Sequence, residues 1–375
     1  MKRIILLGTV LVSLILLVSC GKSEVRIKDD NKSIHYASLG ENVYDDGMIY
    51  GSNPLMYLDF KTMESSILCA KPNCNHKGSD CIAKEAGECP IIYNGYLYFF
   101  ESKQGLEELG DGKREFRINS KLCRISLDSS EKEELVIFTD CVPRDYDGWL
   151  IKDNVIWFIG DDMNPIEDEY GAVEYGNAGG THFICSIDLN TNKYTNYGSV
   201  YNDDKKYKAA SNSSNAQLKG FYDSKLMIRY EFAKDYTPTQ IDENFDYRDY
   251  LTELMFTFDT DTKALESTEL YQPSYVDEDT YVYSEYKQGK THVIDKNKEY
   301  ILDCDADLNA KVFNNKLFVD NPNEWYNLND NSRHSLGEYS DYDIAAYYDN
   351  CYILNKNNTE FIKLTEKELL ALDKE

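Results

Sequence analysis

The hydrophobic positions of this chain fall in short runs, each broken by a tight polar turn. One phrase recurs: a large apolar residue, two polar or small residues, any residue, then a β-forming triplet. Copies begin at Tyr44 (YDDGMIY), Tyr93 (YNGYLYF), Ile151 (IKDNVIW) and Tyr222 (YDSKLMI), and again at Val276 (VDEDTYV), Phe313 (FNNKLFV) and Tyr348 (YDNCYIL). Each predicts a strand end, a turn of Asp/Asn/Gly type and a second strand. A third strand ending in a polar turn follows most copies, as in MYLDFKT from Met56, CSIDLNT from Cys185 and MFTFDTD from Met255. A further short run then follows, such as ELVIF from Glu134. Each unit thus holds about four strands.

The intervals from Val276 to Phe313 and from Phe313 to Tyr348 leave room for little beyond four strands and their turns; the longer intervals carry insertions. A lone four-stranded unit cannot bury both its faces, whereas radial stacking against neighbours can. The expected fold is therefore all-β: a β-propeller of four-stranded antiparallel blades, seven in number. Two β-sandwiches also have strands that recur with turn signals, but the repeated order of phrase, strand and turn favours the propeller. Closing the ring requires the segment near Ile34–Ser38 or the run Phe361–Leu364 to complete a terminal blade. Over about residues 34–370 the pattern resembles propeller-type lipoproteins of low-GC Gram-positive anaerobes, and more loosely TolB-like and WD-repeat propellers. The Trp-Asp dipeptide of WD repeats is absent from the strand ends. The resemblance implies an extracytoplasmic propeller and no particular activity.

The N-terminus breaks the strand pattern. Lys2 and Arg3 precede an uncharged run from Ile4 to Val18, followed by Ser19 and Cys20. The run is short for a membrane span, which needs about 20 apolar residues, and has the layout of a signal peptide. The junction Leu17-Val18-Ser19-Cys20 resembles the lipobox of bacterial lipoproteins, which implies cleavage before Cys20 and a diacylglycerol on its sulfur. Residues 1–19 are then a lipoprotein signal peptide, 20–33 a polar tether and 34–375 the propeller domain. The expected location is extracytoplasmic, lipid-anchored to the outer face of the cell membrane.

Composition narrows the partners. The 375 residues carry 40 Lys and Arg against 66 Asp and Glu, a net charge of −26. Such a balance disfavours nucleic acid and anionic headgroups, which need positive charge opposite phosphate. Thirty-one tyrosines favour strands and offer large contact area with few torsions to freeze.

Ten cysteines occur. With Cys20 assigned to lipid, nine remain, a number that cannot all pair internally. Cys123, Cys185 and Cys351 lie in apolar strand-like runs, where a thiol packs as a small hydrophobe. Four others are clustered: Cys69, Cys74 and Cys81 surround His76, and Cys89 follows. Cys69, Cys74, His76 and Cys81 form a Cys₃His set suited to tetrahedral zinc. Pro72, Asn73 and Gly78 supply the turns such a loop needs. Two other states of this loop compete: two disulfides stapling it, with Cys89 as a partner, or unligated thiols. A site with four protein ligands would be structural.

Two acidic groups, Asp161, Asp162, Glu167, Asp168 and Glu169, and Asp235, Asp242, Glu243, Asp246 and Asp249, lack the alternation of a calcium loop and read as solvated loop charge. His35, His182, His292 and His334 read as surface or internally satisfied positions. No Gly-x-Ser-x-Gly elbow, phosphate-binding glycine loop or His-Glu-x-x-His occurs. The expected function is a surface-anchored binding or scaffolding module for an envelope protein, peptide or glycan. The alternative is a carbohydrate-active hydrolase or lyase with carboxylates at the propeller mouth. By parity, the inserts after Phe100, Gly160 and Tyr230, the cysteine loop and the stretch Tyr201–Gln217 should crowd one end of the ring.

Overall fold

The computed structural model describes residues 34–372, with interruptions at 38–40, 45, 70, 72–73, 78–80, 87–88, 111–112, 128–130, 145–147, 163–164, 168–172, 176–180, 202–213, 234–250, 286–287, 297, 305, 307–309 and 321–322. Strand β1 (Ile34–Ala37) precedes the first blade. Blade 1 is β2 (Glu41–Val43), β3 (Gly47–Tyr50), β4 (Met56–Asp59) and β5 (Glu64–Ile67). A short helix, α1 (Ile82–Glu85), leads to blade 2: β6 (Ile91–Tyr93), β7 (Tyr96–Gly110), β8 (Lys113–Ser126) and β9 (Lys132–Phe138). Blade 3 has a first strand broken in two, β10 (Cys141–Pro143) and β11 (Trp149–Lys152), both paired to β12 (Val155–Asp162). After a side hairpin, β13 (Pro165–Glu167) and β14 (Val173–Tyr175), the blade ends with β15 (His182–Asp188) and β16 (Lys193–Ser199).

Blade 4 is β17 (Ser214–Tyr222), β18 (Lys225–Ala233), β19 (Leu251–Asp259) and β20 (Leu265–Thr268). Blade 5 is β21 (Pro273–Asp277), β22 (Thr280–Glu285), β23 (Lys290–Asp295) and β24 (Lys298–Leu302). Blade 6 is β25 (Lys311–Phe313), β26 (Lys316–Asp320), β27 (Asn323–Asn327) and β28 (Arg333–Ser335). Blade 7 has three strands, β29 (Asp343–Tyr348), β30 (Cys351–Lys356) and β31 (Glu360–Thr365), then helix α2 (Glu366–Leu369). The chain is thus a seven-bladed all-β propeller with antiparallel blades.

Local chemistry sets the turns. The first hairpin of five blades is closed by two residues with positive φ: Asn94-Gly95, Asp153-Asn154, Asp223-Ser224, Asn314-Asn315 and Asp349-Asn350. This is the twist that a two-residue hairpin requires, and Asn, Asp and Gly tolerate it best. The third-to-fourth-strand turns repeat a second device. Asp59, Asp188 and Asp259 each accept two backbone N–H bonds through Oδ1, from the residues two and three ahead. Met63, Asn192 and Lys263 then take positive φ to re-enter the strand.

Seven apolar clusters match seven blade-to-blade interfaces. Trp149 and Phe158 of blade 3 pack on Phe100 and Phe138 of blade 2. Trp157 packs on Phe258 of blade 4. Met227 and Met255 meet Tyr281, Val282 and Val293 meet Leu317 and Val319, and Phe318 and Trp325 meet Ile344 and Tyr352. Met48, Leu58 and Phe60 of blade 1 meet Ala345, Ala346 and Ile353 of blade 7 and close the ring. Second strands are covered on both faces, as in β12 and β26, while fourth strands such as β28 are the more exposed and form the rim.

As the sequence requires, Phe361–Leu364 completes blade 7, as its third strand. Among the described residues closure uses no exchanged strand: Lys363 Nζ donates to Phe60 O at 3.0 Å, and Phe361 packs edge-on against Tyr50. β1 takes a different place. It pairs with the inner side of β11, Ile34 opposite Lys152 and Ala37 opposite Trp149. His35 rings against Tyr93 of β6, and Tyr36 Oη accepts from Phe221 N of β17 at 3.3 Å. Burial, and then the charge of Asp277 on β21, raise the Tyr36 phenol well above its ordinary value. β1 therefore runs along the axis against inner strands of several blades.

Two ends of the ring follow. The first-to-second and third-to-fourth turns form the turn face; the second-to-third connections and the links between blades form the loop face. All the predicted inserts and the cysteine loop connect at the loop face. The segments 202–213 and 234–250, with Asp235, Asp242, Glu243, Asp246 and Asp249, lie outside the described residues, as do Asp168, Glu169 and Cys20. Among the described residues no helix is long and apolar enough to cross a membrane.

Candidate metal centre

The link from β5 to β6 crosses from the rim of blade 1 to the inner strand of blade 2. Its middle holds α1, whose Ile82 and Ala83, with Ala86 just after it, are buried with Leu55 and Tyr57 of blade 1 and with Ile92, Leu97 and Phe99 of blade 2. Ala83 O accepts from Leu55 N at 2.7 Å, so the link is bonded to the ring as well as packed on it.

The cysteine loop builds on that base. Cys81 occupies the position before α1 with extended backbone and is fully buried. Cys69 follows the last strand of blade 1 and is half-buried. Between them the chain makes a tight knuckle. His76 takes φ of 55°, its N–H donates to Cys74 Sγ at 3.4 Å, and Lys77 N donates to Asn75 Oδ1 at 3.0 Å. The left-handed turn at His76 swings its imidazole back over the sulfurs, and Cys81 Sγ lies 3.6 Å from His76 Nδ1.

The ligand atoms of Cys69, Cys74, His76 and Cys81 all lie within 4.8 Å of one another. Zinc bonds of about 2.3 Å to sulfur and about 2.0 Å to nitrogen at the tetrahedral angle place S and N about 3.5 Å apart, and two sulfurs about 3.8 Å apart. The Cys81–His76 separation fits that geometry, and the widest pair must close by about 1 Å. Burial, with the neighbouring Cys74 and Cys69 thiols, pushes the Cys81 thiol up to about 12, against the pull of the Ala83 N–H. Three thiols and an imidazole aimed at one point, with no carboxylate among them, are a donor set for a soft divalent cation, which would hold the thiols ionised.

Cys89 is placed elsewhere. It is buried between blades 2 and 3 with Cys141 and Trp149, and its carbonyl accepts from Trp149 Nε1 at 3.0 Å. The four converging groups are therefore the Cys₃His set without Cys89.

The other candidates separate in the same way. Asp161, read from sequence as solvated loop charge, is buried at the end of β12. His182 Nδ1 lies 2.6 Å from its Oδ1, and Arg144 Nη1 lies 3.3 Å from each of its carboxylate oxygens. Three separate segments supply this group, so no spacing announced it. His334 stacks on Trp325 at 4.0 Å, His292 lies between Tyr283 and Glu299, and both are held by their neighbours. Cys141 and Cys185 flank β12 over Gly160, each within 3.5 Å of Tyr194 Oη.

No family model and no curated protein matches this sequence. Solved structures align with it at low identity. An ulvan lyase bound to -[GlcA(1-4)Rha3S]- is 10% identical, with 92% of each chain covered and a TM-score of 0.41. An oligogalacturonate lyase in complex with manganese is 12% identical over 88% of this chain and 79% of that one, at a TM-score of 0.36. TolB from Acinetobacter baumannii is 9% identical over 92% of this chain and 66% of its own, at 0.28. At such identities and scores these likenesses assign neither activity nor partner to this chain.

Proposed function

We propose that this chain is an extracytoplasmic lipoprotein, acylated at Cys20, whose propeller serves as a binding or scaffolding module for an envelope protein, peptide or glycan. Its loop face is the binding surface, and a structural zinc ion held by Cys69, Cys74, His76 and Cys81 fixes one sector of that face. The observation that carries this reading is the gathering of the long connections at one end of a rigid ring. Long connections on a rigid frame are where recognition concentrates. The metal contributes stability there and no chemistry, because four protein ligands leave no open position.

Two measurements test the reading. Cys20→Ala should move the protein out of the membrane fraction or stall its processing, and intact mass should show acyl chains on Cys20. A mature protein with residues 1–19 attached and no lipid would refute anchoring. A ligand captured from envelope extract by residues 34–375 should slow hydrogen exchange on the loop face; protection confined to the turn face would refute the assignment of the surface.

A further inference from the structure

We propose that the ring is held with its turn face toward the membrane, so that the loop face and its cysteine cluster point away from it. This rests on acylation of Cys20 as proposed above. The geometry comes from β1. Its first residue, Ile34, pairs with Lys152, which adjoins the Asp153-Asn154 hairpin turn, and its last, Ala37, pairs with Trp149 at the far end of β11. The chain therefore enters the ring at the turn face, on the axis, and runs toward the loop face.

The tether length decides how freely the ring can tumble. Residues 20–33 number 14, and that many residues span at most about 50 Å fully extended. To lay the loop face on the bilayer, the tether must run from the axis across the turn face and up the rim. Four inter-strand steps of about 4.8 Å carry it about 19 Å outward, and a strand of the length of β12 adds about 26 Å of height. That path of about 45 Å requires a tether stretched almost to its limit, while the opposite orientation requires no stretching. The first-to-second-strand hairpins of the turn face carry Asp46, Asp153, Asp223, Asp279 and Asp349, and Lys152 and Lys316 beside them are paired with Glu278 at 3.3 Å and Glu366 at 2.6 Å, while its third-to-fourth-strand turns carry the exposed Lys61, Lys263 and Lys296. The orientation therefore rests on the entry point and reach of the tether, and a partner reaches the loop face from outside.

The test uses the acylated full-length mature protein in vesicles containing an acceptor-labelled lipid. A fluorescent amino acid is placed either at Asn315, in the exposed hairpin turn of blade 6, or at Gln288, in the exposed second-to-third-strand turn of blade 5. Energy transfer should be stronger from Asn315 than from Gln288, by an amount matching about 20 Å, the rise of a six-residue strand. Inserting a 40-residue Gly-Ser segment after Gly21 should shrink the gap. Equal transfer, or stronger transfer from Gln288, overturns the inference, as does a gap that the long tether leaves unchanged. If the mass of the N-terminus shows no acyl chains, the anchoring reading and this inference fall together. Acylated protein with the wrong transfer order sinks the orientation alone.

Discussion

The cysteine cluster gives the sharpest test, and His76 is the residue to change. His76 is half-exposed, so altering it removes a ligand with little loss of packing, whereas Cys81 is fully buried in the layer between blades 1 and 2. His76 also has φ of 55°, a conformation that Asn accepts more readily than Ala. His76→Asn therefore isolates the metal ligand from backbone strain. Suppose free zinc stands about 1,000-fold above its dissociation constant. Binding then stabilises the fold by about 4 kcal/mol. A domain of roughly 340 residues has an unfolding entropy of about 0.7 kcal/mol/K, so loss of the ion lowers Tm by about 6 °C.

Elemental analysis of wild-type protein purified without chelator should give about one zinc per chain, and chelation should lower Tm by about 6 °C. His76→Asn should hold much less zinc, melt near the chelated wild type and respond little to chelator. The effect should be local in hydrogen exchange, greatest around α1 and the Leu55–Ala83 bond. The reasoning fails if wild-type protein carries no zinc and its melt ignores chelator. It fails equally if peptide mapping finds Cys69, Cys74 and Cys81 tied up in disulfides, or if His76→Asn keeps a full, chelator-sensitive complement of metal.

Other consequences are direct. Asp161→Ala leaves Arg144 and His182 buried without their carboxylate and should destabilise the domain by about 3–5 kcal/mol, read by denaturant melts. Gly160→Ala places a methyl 2.9 Å from Cys141 Sγ and 3.4 Å from Cys185 Sγ, so about 1–3 kcal/mol should be lost, with partial rescue by Cys141→Ala. Burial disfavours the charged form of Glu101, but hydrogen bonds from Lys103 and Lys132 and the charge of Lys121 outweigh it and hold the carboxyl down at about 2. A lowered value means stability present above the ordinary carboxylate range and lost as pH falls through about 2, so Glu101→Gln should destabilise at pH 7 by on the order of 1 kcal/mol and the gap should close in acid. Deleting residues 360–375 removes β31 and α2 and should lower the melting of the whole domain in one transition; an unchanged melt would refute closure at the interface of blades 7 and 1.

Legibility in the sequence followed the range of the interaction. The hairpin turns were readable because Asn94-Gly95 or Asp349-Asn350 needs a backbone that few residues adopt, so local chemistry wrote the phrase in five of the seven blades. The Cys₃His set was readable because its ligands lie in one loop, and its separation from Cys89 was not, because that depends on which interface each residue enters. The Arg144–Asp161–His182 group was invisible for a related reason: Asp161 and Asp162 are neighbours in sequence, yet Asp161 is buried and bonded, and only the pairing of β12 with β15 determines that. β1 was the least legible element. IHYA carries no turn signal and no partner nearby in sequence, and a four-residue strand suits the inside of β11 as well as the edge of a terminal blade.

That placement of β1 separates two jobs that a single terminal strand could otherwise have shared. Among the described residues blade 7 has no fourth strand borrowed from the N-terminus. Its outer side is finished by α2 instead: Thr365 and Glu368 form a capping box, Leu369 is buried against the layer of blades 6 and 7, and Glu366 reaches Lys316. Ring closure then rests on side-chain packing, chiefly Met48, Leu58 and Phe60 against Ala345, Ala346 and Ile353, with Lys363 bonded across to Phe60. A load applied through the N-terminal segment falls on the pairing of β1 with β11 and on the Tyr36 hydroxyl, and not on the interface that keeps the ring shut.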